Sequence, residues 1–225
     1  VPEVAMITIA FPYVSAITDM EPMYTALATG MIENIRQVMP GHPIMQISDS
    51  KTRPIKGVNN VLRVEINEPL MVWRLKAQQM AHSMADEILF VESDMRFSES
   101  VMELFDDDSD VVLATRDCDA DWGDERLSVI APYGLGSNAS RSAEFWRQAK
   151  LHCQTLPMRK QHWIGDMMAV SAVAETNKFK VRIVDGAIYN HIPNSADDFG
   201  KSKAMHYKGK RKTWLFPQAT EEMAA

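Results

Sequence analysis

The chain has 225 residues, of which 46% are hydrophobic and 24% charged, a balance that fits a folded globular domain and excludes disorder and collagen-like repeats. That length suits one substantial domain with a core that needs no disulfide or metal staples. A net charge of −6 argues against a positively charged coat for indiscriminate nucleic-acid binding.

Short apolar runs alternate with helical patterns, and no internal repeat is present. Val4–Ala10 reads as a buried strand, with Phe11-Pro12-Tyr13 as the loop that follows it. From Glu21 to Val38 the residues Tyr24, Ala28, Met31, Ile35 and Val38 recur at helical spacing, and Met39-Pro40-Gly41 stops that helix. Pro43–Ser48 and Val61–Glu65 are the next strands. A second helix carries Trp73, Ala77, Met80 and Met84 on one face.

Glu87–Val91 is the most buried-looking strand, and it ends in Glu92-Ser93-Asp94. Strand and helix in alternation predict an α/β fold: a mostly parallel central sheet flanked by helices, in a single domain. Ligands in such sheets bind beyond the carboxyl ends of the strands, which places Phe11, Pro12, Tyr13, Asp49 and Glu92–Asp94 near a site. Further on, Asp110–Thr115 is a strand, and Ser128–Ala131 and Leu135–Ala139 are short candidates. Helices follow at Ser142–Cys153, packed by Phe145 or Trp146, and at Asp166–Glu175. The last strand is Val181–Val184. From Asn190 the chain turns polar and basic and reads as a loop or lid, not a separate domain.

Cys118 and Cys153 are too few for a disulfide framework and lack zinc-ribbon spacing, so a reducing compartment is the default. No apolar run approaches the ~18 residues of a membrane span. Val1–Ala10 lacks a basic leader and a signal-length apolar core, so no export signal is read and a cytoplasmic location is expected.

Residues i and i+2 of an extended chain project to one side, so Glu92 and Asp94 could face one hard cation such as Mg²⁺ or Mn²⁺. With 30 acids in the chain, chance alone yields roughly four acid-x-acid pairs. Asp106/Asp108, Asp108/Asp110, Asp117/Asp119 and Asp119/Asp121 are others, in acidic loops that read as solvated surface. Position at the end of an apolar strand sets Glu92/Asp94 apart. A second constellation, His206-x-x-Gly209-x-x-Lys212, joins a metal-ligating imidazole, a glycine that admits close backbone approach and a lysine point charge. Its chance frequency is only roughly 0.03 per chain of this composition.

Together these motifs, with Trp214 behind the second, resemble the GT-A (Rossmann-like) type of nucleotide-sugar glycosyltransferase. Within it the chain is most similar to the glycogenin and bacterial lipopolysaccharide galactosyltransferase family. That family writes D-x-D at the strand end and H-x-x-G-x-x-K-P-W near its C-terminus; this chain has Glu92 for the first aspartate and Thr213 for the proline. The resemblance implies a metal group of Asp94, His206 and Glu92 holding Mn²⁺ or Mg²⁺, with Glu92 also within reach of the ribose. It implies nucleotide contacts from Phe11, Pro12, Tyr13, Asp49, Lys76, Ser93, Gly209 and Lys212, and a basic C-terminal lid.

Gly134, Gly136 and Asn138 match the stretch that lines the donor sugar. Asp166, at the start of a late helix, would be the acceptor base or a donor-sugar ligand, and it equally suits plain helix capping. Residues 1–94 would then form the nucleotide-binding half, 95–189 the donor-sugar and acceptor half, and 190–225 the lid. The resemblance favours retention of anomeric configuration, while an aspartate such as Asp166 also fits inversion.

The expected activity is sugar transfer from a nucleoside-diphosphate donor, UDP first, to a hydroxyl acceptor. The acceptor is a glycan or, through Lys201, Lys203, Lys208, Lys210, Arg211 and Lys212, a hydroxylated base in DNA. Two rivals stand beside it. A nucleotidyltransferase would need a basic, glycine-rich loop after the first strand, and Phe11–Met20 has no glycine, lysine or arginine. A non-catalytic nucleic-acid-binding module would use the basic tail but has no need of Glu92, Asp94 or Asp166.

Overall fold

A computed structural model describes residues 6–15, 21–115, 129–135 and 139–215. The acid pairs at Asp117, Asp119 and Asp121 lie outside the described residues.

Four parallel strands form the central sheet: β1 (Thr8–Pro12), β2 (Ile44–Ser48), β3 (Asn60–Arg63) and β4 (Ile88–Phe90), in the order β3-β2-β1-β4. Helix α1 (Glu21–Val38) connects β1 to β2, and α2 (Leu70–Ala81) connects β3 to β4. β1, β2 and β4 are almost wholly buried. Cover on both faces explains why they read as continuous apolar runs without alternation. The chain adds β2 and β3 on one side of β1, then returns to place β4 on the other. Such a reversal opens a crevice beyond the carboxyl ends of β1 and β4.

A second, three-stranded sheet has the order β7-β6-β8, where β6 (Val111–Thr115) pairs antiparallel with β7 (Val129–Leu135) and parallel with β8 (Val181–Val184). Helices α3 (Ala139–Thr155), α4 (Met158–His162) and α5 (Gly165–Ala174) precede β8, and the single turn α6 (Gly186–Tyr189) follows it. Finally β5 (Met95–Phe97) pairs antiparallel with β9 (Ala204–His206).

Several boundaries differ from the sequence reading. The first strand runs two residues further, so Phe11 and Pro12 belong to β1 and only Tyr13 begins the loop. Phe11 is fully buried in the core. The two candidates around residues 128–139 are one strand, β7, with Pro132 and Gly134 inside it. β7 is at the edge of its sheet and its pairing with β6 is irregular between Val112 and Ala114, a setting that tolerates a proline. Met84 falls beyond the end of α2 and is half exposed. Phe145 and Trp146 are both fully buried, because α3 packs against α2 and α5 at once, and the two rings meet edge-on at 5.1 Å. From Asn190 onward the chain is more than a loop, since it supplies β9.

Candidate functional site

The acid-x-acid motif is the turn between β4 and β5. The Met95 N–H donates to the Glu92 carbonyl at 3.0 Å, which closes the turn. Arg96, 7% exposed, supports it from beneath by donating to the carbonyls of Ser93, Met95 and Leu27. Burial lowers the Arg96 guanidinium to about 10, against the pull of Asp94. The sequence reading passed over this arginine.

Register brings in the histidine. His206 lies opposite Met95 in the β5–β9 pair, so it stands next to Asp94 although 112 positions separate them. The Tyr207 N–H donates to the Asp94 carbonyl at 2.9 Å, and the His206 N–H to the His191 carbonyl at 2.7 Å. The imidazole is fully buried. Its Nε2 is 2.9 Å from Glu92 Oε2 and 3.1 Å from Asp94 Oδ1, yet aligned as a hydrogen bond with neither.

One ligand atom from each of Glu92, Asp94 and His206 fits within 4.8 Å of the others. Two carboxylate oxygens and an imidazole nitrogen converging on one point suit a divalent cation. Burial alone would raise both carboxyls. Arg74 and His206 instead hold Glu92 well below the usual range, and His206 and Lys212 lower Asp94 against the repulsion of Glu92. Both acids therefore stand ionised, as ligation requires.

Charges of alternating sign extend the cluster in both directions. Lys212 Nζ lies 3.0 Å from Asp94 Oδ2, 3.2 Å from the Tyr24 hydroxyl and 4.7 Å above the Tyr24 ring. On the other side Arg74, from α2, pairs with Glu92 and reaches Asp166 Oδ2 at 3.5 Å. Asp166 is 8% exposed in the first turn of α5, where its Oδ1 accepts from the Met167 N–H. Asp166, Arg74, Glu92, His206, Asp94 and Lys212 thus form one continuous network.

Other expected residues fall at varying remove. Lys76 is not in the network: its ammonium lies 3.3 Å from Glu68 and 3.4 Å from Asn67, and Arg74, two positions earlier on α2, takes the inward place. The helix was readable, but its inward-facing cation was not. Ser93 contributes its carbonyl to the turn through Arg96. Tyr13 is 6% exposed, with its hydroxyl 2.7 Å from Thr25 Oγ1. Asp49 caps its own loop, accepting from the Thr52 N–H and hydroxyl, and Arg63 donates to the carbonyls of Asp49 and Thr52.

Gly209 has φ +60 and open space where a Cβ would stand. Gly134 is in β7, which packs beside β4 and α5, while Gly136 and Asn138 lie outside the described residues. Of the six basic tail residues, Lys201 pairs with Asp198, Lys203 with Glu103, Lys212 with Asp94, and Arg211 donates to the Pro193 carbonyl. Three of the six positive charges are thus paired with a carboxylate of the chain.

No family model matches the chain, and no curated protein does. A solved structure, that of a glycosyltransferase involved in the glycosylation of the major capsid of PBCV-1, is similar to it with a TM-score of 0.58 and 14% identity. That likeness covers 97% of this chain and 99% of the other, so it shows a shared fold from end to end. The fold is a mixed α/β, GT-A-like domain with its parallel four-stranded sheet flanked by helices. Among the described residues no helix is long and apolar enough to cross a membrane.

Proposed function

We propose that the chain is a metal-dependent glycosyltransferase that moves a sugar from a nucleoside-diphosphate donor, UDP in the first instance, to a hydroxyl of a glycan. The observation that carries this reading is the Glu92/Asp94/His206 cluster with Lys212 against it, at the carboxyl end of β4 in a fold shared with a glycosyltransferase. The finer kinship with the glycogenin and lipopolysaccharide galactosyltransferase family rests on the two motifs.

In this reading Glu92, Asp94 and His206 hold Mn²⁺ or Mg²⁺. The cation supplies positive charge against the negative charge that grows on the departing diphosphate. Lys212 adds a second positive charge, drawn from its contact with Asp94 toward the phosphates, and Gly209 lets the backbone approach them. Tyr13, Pro12 and Asp49 border the nucleoside from the ends of β1 and β2, with Ser93 in the turn beside it. Arg74 holds Asp166 and Glu92 in fixed relation, so Asp166 faces the sugar as base or as ligand. Glycosyl transfer has oxocarbenium character, and a carboxylate beside the ring stabilises it in either stereochemical course. A glycan acceptor is preferred to DNA because three of the six basic tail residues pair with carboxylates of the chain and Arg211 donates to one of its carbonyls.

Calorimetry of UDP binding with and without Mn²⁺ tests the reading. Wild type is expected to bind UDP in a Mn²⁺-dependent manner, and Asp94→Asn and His206→Ala to lose that dependence. Binding that is the same with and without Mn²⁺, and the same in both variants, would falsify the metal-dependent site.

A further inference from the structure

Asn190 follows α6 and is 1% exposed. Its Oδ1 lies 3.1 Å from Nδ1 of His206, on the far side of the ring from the two carboxylates. An amide has a donor end and an acceptor end, so its orientation decides which ring nitrogen keeps a proton. The Asn190 Nδ2 donates to the Thr115 carbonyl at 3.4 Å. Turning the amide over would set its oxygen against that carbonyl with no proton between them. Oδ1 therefore faces the ring and Nδ1 donates to it, which leaves Nε2 as the nitrogen that can offer a lone pair toward Glu92 and Asp94.

Asn190 is itself clamped. Its N–H donates to the Gly186 carbonyl at 2.8 Å, and the Gly186 N–H donates to Thr115 Oγ1 at 2.8 Å. A Cβ at Gly186 would stand 2.1 Å from the Thr115 carbonyl oxygen. Only glycine lets α6 lie this close to the end of β6 and hold Asn190 against the histidine.

We propose that Asn190 is a positioning residue, which accepts a hydrogen bond from His206 Nδ1 and so fixes the ring with Nε2 aimed between Glu92 and Asp94, where a divalent cation would be held. This deepens the proposed function and rests on its cation site, but the ring-proton state is readable without any cation. A ligating imidazole ordinarily has its other nitrogen held by such an acceptor.

The test uses the full chain labelled with ¹⁵N-histidine, at about pH 8 where free imidazole is neutral. NMR reads the protonation of each His206 nitrogen with and without Mg²⁺, and calorimetry reads Mn²⁺ affinity. Nδ1 is expected to carry a proton in both conditions. Asn190→Leu is expected to lose that preference and to bind Mn²⁺ about 10–100-fold more weakly. Asn190→Asp still accepts from Nδ1–H, although its second oxygen then faces the Thr115 carbonyl, and is expected to keep the Nδ1 proton and to bind Mn²⁺ more tightly than Asn190→Leu at a cost in stability. An unprotonated Nδ1 in wild type overturns the proposal even if Asn190→Leu fails to fold, and so does a folded Asn190→Leu with undiminished Mn²⁺ affinity. Wild type that keeps Nδ1 protonated but binds neither cation overturns the cation site and the role given to Nε2, while the hydrogen bond itself stands.

Discussion

His82, just past the end of α2, is 9% exposed and sits edge-on to Phe90 with ring centroids 6.0 Å apart. Burial lowers its pKa to about 4, outweighing the nearby backbone of Ala85 and Asp86 and the Asp86 carboxylate. In the unfolded chain the ring titrates near ~6.5. Between these values the unfolded state holds a proton that the folded state refuses, so stability rises with pH through this window and the effect ends above it. Lowering the pH from 7.5 to 5 is expected to cost about 2 kcal/mol through this group. Urea midpoints of wild type and His82→Leu at the two pH values check it, and equal pH slopes would remove His82 as the cause. At this scale the site was partly legible. Glu92, Asp94, His206 and Lys212 stand in short spacings that chemistry alone singles out. Arg74, Arg96 and Asn190 act through contacts with distant segments, and nothing in their local sequence marks them.

Between α4 and α5 the chain turns a corner that determines where Asp166 points. Ile164 adopts φ 62, a left-handed conformation that costs a residue with a Cβ roughly 1–2 kcal/mol and is rare for a β-branched one. A Cβ at Gly165 would stand 2.3 Å from the Lys160 carbonyl oxygen and 3.1 Å from Cys153 Sγ. Gly165→Ala is therefore expected to destabilise the protein by about 1–3 kcal/mol, the usual range for overpacking. Thermal melting reads the loss, and an unchanged midpoint would show that the corner can yield. The sequence reading saw the Gly165-Asp166 start of this helix but not the strain before it, because a positive φ at isoleucine has no sequence signal. Long elements with a clear period, such as α1 and α3, were legible, and so was the five-residue strand β2. The three-residue strands β5 and β9 were not, because a strand that short shows no period and exists through its pairing.

Across the whole molecule, the pairing of β5 with β9 makes part of the C-terminal segment belong to the core. Ala204, Met205, His206 and Tyr207 are all buried. The Ser98 N–H donates to the Lys203 carbonyl, the His191 N–H to Ala204, the His206 N–H to His191 and the Tyr207 N–H to Asp94. Residues 209–215 differ: they form a 3₁₀ turn with no buried residue, tied down by Lys212 to Asp94 and Tyr24 and by Arg211 to Pro193. Local opening follows local contact density, so the two stretches should open with different free energies. Any closure on a donor then belongs to 209–215, hinged at Gly209, whose φ of +60 suits glycine. Hydrogen exchange is expected to find His206 and Tyr207 amides protected like those of β1 and β4, and 209–215 exchanging fast. UDP with Mn²⁺ should slow only the latter, because the lysine proposed to meet the diphosphate lies there and the histidine is already in place. Equal, fast exchange in both stretches would mean that His206, the proposed cation ligand, is assembled only on binding, and the preformed site would have to be abandoned.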